Sequence, residues 1–195
     1  MQTWLNYFTW NRANRPPVPW EQGIKAEPGL RDPLVRSLQK FQLGESGEGR
    51  TLRQHAAAGG DPIYAAAIDL FIKEEQEHSR LMGRVLRLLN APLLEGHWTD
   101  NLFVGMRHRF GIRQEIMVLL LPEMIARCYF RALRDGTQDP VMQAVFGQIV
   151  QDVLAIEQTD GDALAALHGR RGGHAHVDVL ARDLAPDAPV LRQTF

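Results

Sequence analysis

Between Ile68 and Leu89 the apolar residues Ile68, Phe71, Ile72, Met82, Val85, Leu86 and Leu89 recur at steps of three and four. That spacing draws one stripe along an α-helix, running from about Asp61 to Leu89. Three more helices are predicted in the same way. Leu34, Leu38, Phe41, Glu45 and Leu52 mark a first helix from about Asp32 to Ala58. A third runs from about Asp100 to Asp135, kinked or broken near Gly105, Gly111 and Pro122, because a proline removes a donor and clashes one turn back. Val141, Val145, Ile149 and Ile156 mark a fourth, from about Asp139 to Leu167. Three starts share one spelling, Asp32-Pro33, Asp61-Pro62 and Asp139-Pro140, in which an acceptor at the N-cap precedes a residue whose φ is already helical. Thr99-Asp100 is a weaker fourth. Gly59-Gly60, Asn90 to His97 and Asp135-Gly136-Thr137 separate the segments. Nothing alternates with period two for long enough to suggest a sheet. The expected class is all-α, an antiparallel four-helix bundle over residues 32–168.

Residues 1–31 contain four prolines and three of the four tryptophans, with little periodicity. They read as an extended arm laid over the bundle, with Trp4, Trp10 and Trp20 as anchors. Residues 169–195 are rich in Gly and Pro and read as a tail. A chain of 195 residues suits one domain with a core able to stand alone. Its formal charge of -1 gives no electrostatic case for nucleic acid or an anionic membrane. The single cysteine, Cys128, excludes an intrachain disulfide framework and suits a reducing cytoplasm. The opening MQTWLNYFTW has no basic region leading into an apolar run, so it does not read as a secretory signal. The longest apolar run, Ile116 to Pro122, is far short of a membrane span. The expectation is a soluble, cytoplasmic protein.

Charge inside the apolar stripes changes the picture. Glu75 and His78 fall in the gap of the second helix's stripe, Glu45 interrupts the first, and Glu123 lies among Leu119, Leu120 and Ala126 of the third. A charge on a dry face costs several kcal/mol unless it is neutralised. A cation does this economically, because Glu and His three residues apart aim two ligands at one point. The spacing repeats. Glu45 and Glu75 are 30 residues apart, and the same step from Glu123 leads to position 153, which lies 14 residues after Asp139 just as Glu75 lies 14 after Asp61. The two helix pairs read as copies of one hairpin.

The strings FQLGES around Glu45, FIKEEQEH around Glu75 and His78, LLLPEMIARCYFRAL around Glu123 and DPVMQAVFGQIVQD leading to position 153 resemble the ferritin-like di-metal carboxylate proteins over residues 30–168. There, two helices give one Glu each and two give Glu-x-x-His around paired ions. The resemblance implies Glu45, Glu75, His78 and Glu123 as metal ligands, and Asp152 as the outer partner that orients His78. The fourth helix departs from it: Val153 and Ile156 stand where the family has Glu and His. What remains is a reduced site for one divalent ion, Fe or Mn, with Zn possible, since oxygen-rich ligand sets suit these metals.

Three functions follow: a mononuclear metalloprotein with a possible redox role, a non-enzymatic scaffold or homodimer whose acids pair internally with Arg127 or Arg113, and an intact di-iron oxidase in which Glu157 and Asp160 stand in for the lost ligands. The last is disfavoured because two-metal chemistry needs a second well-ligated ion that Val153 and Ile156 cannot supply, and because Thr159 and Gly161 make the Glu157–Asp160 stretch a poor helix interior. Glu74 and Glu77 are expected to be solvated, and Glu48 to lie in a loosened turn. Glu115 is an alternative to Glu123. His55, His97, His108 and the tail pair His174 and His176 have no partners at ligand spacing. The substrate, if any, is not readable.

Overall fold

Helix starts written in the sequence account for two of the six α-helices found among the described residues. In a computed structural model of the chain these are residues 2–95 and 112–167, with side chains described over 2–95 and 124–155. The helices are α1 (Gln2–Asn14), α2 (Pro28–Gly44), α3 (Arg50–Ala58), α4 (Pro62–Leu88), α5 (Ile112–Gly136) and α6 (Pro140–Leu167), with a 3-10 turn at Trp20–Gln22. No strand occurs among the described residues. Asp61 caps α4, its Oδ1 accepting from the Ile63 and Tyr64 amides at 2.9 and 3.1 Å. Asp139 caps α6 through the Val141 and Met142 amides, both at 3.0 Å. Its other oxygen accepts from the Lys25 amide at 2.8 Å, tying down the segment after α1. By compactness the chain divides after Glu157, and the second unit, Gln158–Phe195, is described only over its helical residues 158–167.

Three expectations need correction. The N-terminal arm is not extended, since α1 is a helix that packs against α4. Trp4 anchors it, stacked on Phe71 at 6.2 Å, and Trp20 lies under the Arg84 guanidinium at 4.2 Å, but Trp10 is 63% exposed and anchors nothing. Asp32-Pro33 starts no helix. The chain is already helical from Pro28, and Asp32 is an exposed partner of Arg31. The first long helix is in fact two. α2 ends at Gly44 with Glu45 as its C-cap, and α3 begins after Gly49, whose φ of +60° is left-handed. A Cβ on Gly49 would lie 2.5 Å from Ile72 Cδ1, inside the core, so the turn tolerates only glycine. Gly49→Ala is expected to cost about 2–4 kcal/mol through combined φ strain and overpacking. Urea unfolding with an unchanged m-value would measure it, and an unchanged midpoint would contradict this account.

Two apolar clusters hold the unit together. One joins α2, α4, α5 and α6 through residues such as Leu38, Met82, Leu86, Phe130, Phe146, Ile149 and Val153. Phe130 touches Phe146 at 5.9 Å, and Phe41 stacks on Tyr129 at 4.5 Å. The other joins α1, α3 and α4 through Trp4, Phe8, Leu52, Ala56, Ile68, Phe71 and Ile72. The predicted stripe residues of α4 are all buried. Because α4 serves both clusters, it is covered on two sides, and polar residues between the clusters are shut off from water. No helix among the described residues is long and apolar enough to cross a membrane.

Candidate metal centre

His78 sits at the junction of the two clusters, 1% exposed, with acids on both ring nitrogens. On the Nε2 side, Asp152 Oδ2 of α6 lies at 3.0 Å. On the Nδ1 side, Glu45 Oε2 and Glu75 Oε1 each lie at 3.8 Å. Both of those oxygens are shielded from solvent. Of the residues singled out in the sequence, the structure thus brings together Glu45, Glu75, His78 and Asp152. Glu123 lies on the backbone of α5, but its side chain is outside the described residues, as are those of Glu115, Ile156, Glu157 and Asp160. His97, His108, His174 and His176 are also outside them. Val153 is 1% exposed and packed in the first cluster, so that position is filled by hydrocarbon.

Asp152 stands on Nε2 as the resemblance implied, but the sequence did not point to the network behind it. Glu74, expected to be solvated, is 3% exposed. Its Oε1 accepts from Asn11 Nδ2 at 2.7 Å and pairs with the Arg15 guanidinium. The second hydrogen of the same Asn11 amide goes to Asp152 Oδ1 at 2.8 Å, and Tyr7 donates to that oxygen at 3.2 Å. Arg15 also stands 3.5 Å from Asp152 Oδ2. Glu77 is half-buried beneath Arg80, which holds it bidentately at 2.7 and 2.6 Å. α1 therefore delivers Trp4, Phe8 and Asn11 from one face, at helical steps of four and three, and Arg15 follows just past its end. That spacing was the available signal, hidden because half of the face is polar.

Hydrogen bonding to Asp152 orients the His78 ring. Burial alone would raise the Asp152 carboxyl. The His78 hydrogen bond and charge, the bond to Glu74 and the Arg15 charge together hold it below its ordinary value. An ionised Asp152 is an acceptor on both oxygens, so His78 Nε2 donates to it and the ring turns Nδ1 towards Glu45 and Glu75. Tyr7 is pushed up, chiefly by burial and then by the charges of Asp152 and Glu74, so it stays a phenol donor. Glu74 is raised to about 8, first by burial and then by the neighbouring Asp152 charge, which outweigh Arg15.

An acid raised in this way favours the folded state in its protonated form. Its contribution is full below the ordinary value of 4.5 and is lost as pH rises through about 8. Glu74→Gln, which keeps the acceptor oxygen and cannot ionise, is expected to flatten the decline in stability between those two pH values. Urea unfolding across the interval reads this, and an unchanged slope would contradict it.

Glu74, His78 and Asp152 offer atoms that all lie within 4.8 Å of one another, so this buried group could hold a metal ion. An ion there would need the Nε2 lone pair and would compete with the Arg15 guanidinium. On the Nδ1 side an ion would displace neither the Asp152 hydrogen bond nor Arg15. Comparison with protein-family models, curated proteins and solved structures finds no match for this chain.

Proposed function

We propose that the chain is a ferritin-like metalloprotein with a reduced centre, binding one divalent ion through His78 Nδ1, Glu45 and Glu75. The observation that carries this reading is the commitment of His78 Nε2 to Asp152 while Nδ1 faces acids from two separate segments, the end of α2 and the middle of α4. That is how metal-ligating histidines are held, with one nitrogen fixed by a carboxylate and the other left basic. The first cluster, drawn from α2, α4, α5 and α6, supports a four-helix arrangement in which Glu123 of α5 would stand as a further ligand. One imidazole with two or three carboxylates suits Mn(II), Fe(II) or Zn(II). A bound ion would supply Lewis-acid polarisation or, for iron and manganese, one-electron exchange, with positions left for water or a small ligand. Val153 withholds the acid that a second ion would need, so the reading is mononuclear rather than a di-iron oxidase.

The test is metal uptake by protein purified without a histidine tag, with Mn(II), Zn(II) and anaerobic Fe(II) added in turn. Binding of one equivalent with thermal stabilisation is expected. Less than about one-tenth equivalent of every metal would sink the proposal.

A further inference from the structure

We infer that Asn11, on α1, and Arg15, the residue that follows α1, are positioning residues for the ligand nitrogen of His78, acting through Asp152. The inference rests on the proposed ion site for its consequence, but not for its geometry. Asp152 Oδ1 accepts from Asn11 and Tyr7 at 2.8 and 3.2 Å, while Oδ2 faces His78 Nε2 at 3.0 Å and Arg15 at 3.5 Å. With Oδ1 occupied by donors, the carboxylate cannot rotate to turn a different edge to the imidazole without losing two hydrogen bonds. With Arg15 beside Oδ2, the negative charge stays where it meets the Nε2 hydrogen. Asn11 also ties Asp152 to Glu74 through one amide, so both acids are held by the same turn of α1. The N-terminal helix thus selects the imidazole tautomer that presents Nδ1 to Glu45 and Glu75. Docking of α1 and binding of the ion are then thermodynamically linked, and each strengthens the other.

The sign of the effect separates this from the alternative. Were the ion held by Glu74, His78 Nε2 and Asp152, Arg15 would be its competitor, and removing the guanidinium would tighten binding. On the Nδ1 side, removing Arg15 weakens it. Arg15→Gln and Asn11→Ala are compared with Trp10→Ala, an exposed position on α1. Two quantities are read: the imidazole 15N resonances of His78 in the metal-free full-length protein, and the affinity for Mn(II). Expected are the Nε2–H tautomer in the wild type and in Trp10→Ala, a mixture of tautomers in the other two variants, and Mn(II) affinity lower in those two by about 10–100-fold. Retention of the Nε2–H tautomer in a folded Arg15→Gln and a folded Asn11→Ala overturns the inference, as does tighter Mn(II) binding by Arg15→Gln. Should Arg15→Gln fail to fold, Asn11→Ala decides, since it removes only one of the donors to Asp152. If the wild type takes up no Mn(II), Fe(II) or Zn(II), the proposed function falls, and the tautomer measurement alone still decides the role of Arg15 and Asn11.

Discussion

Glu75→Gln and His78→Gln are each expected to abolish metal-dependent stabilisation while leaving the metal-free protein folded. In the wild type, an ion supplied at about 100 times its dissociation constant adds about 2.7 kcal/mol, or roughly 5–10 °C in melting temperature for a chain of this size. Glu75→Gln keeps the shape of the side chain and removes the charged oxygen that faces Nδ1 at 3.8 Å. His78→Gln removes the imidazole altogether, and with it the nitrogen ligand proposed for the ion. Either loss exceeds the roughly 10–100-fold that a missing outer partner costs. Glu74→Gln lies one residue away and serves as the control, because Glu74 faces Arg15 and Asn11 instead. Differential scanning calorimetry with and without Mn(II) reads all three. A full metal-induced shift in Glu75→Gln would remove Glu75 from the site, and the loss of that shift only in Glu74→Gln would move the ion to the Nε2 side.

The second large effect concerns stability. Asp152→Ala strands His78 Nε2–H, one hydrogen of Asn11 and the Tyr7 hydroxyl in a buried space. Leaving these donors unsatisfied is expected to cost about 3–5 kcal/mol, at about 1–3 kcal/mol for each orphaned group before relaxation. Arg15 limits the damage, since it still pairs with Glu74. Asp152→Asn separates the two roles of the residue. Its oxygen still serves Asn11 and Tyr7, while its amide turns a donor towards His78 Nε2 and drives the proton to Nδ1. The fold should survive and ion binding should not. Chemical denaturation and Mn(II) titration read the two effects separately, and wild-type stability in Asp152→Ala would refute the network.

Much of the centre was legible because it is local. Glu75 and His78 share one helix, and a charged pair in the gap of an apolar stripe is visible from spacing alone. Glu45 was found by the same rule although its helix was drawn too long. The rule reads periodicity, and the non-helical residues from Glu45 to Gly49 broke the helix without erasing the stripe. Asp32-Pro33 misled because Glu27-Pro28, five residues earlier, also places a proline at the first helical position. Glu74 was misread because a single stripe assigns the opposite face to water. α4 is buried on two sides, and that depends on where α1 and α6 lie, which no local pattern contains. Asn11 and Arg15 went unnoticed for a related reason: an inward face that changes from Trp4 and Phe8 to amide and guanidinium has almost no hydrophobic periodicity.

By itself, the amino-acid order determined the helical class, the two aspartate-capped starts and the inward placement of Glu45, Glu75 and His78, since each follows from propensity and period within one segment. Only the tertiary structure decided which nitrogen of His78 is occupied and which faces the acids. That choice is made by Asn11, Arg15 and Asp152, as many as 141 residues apart in the chain. A tautomer answers to the field of whatever is packed beside it, not to its neighbours in sequence.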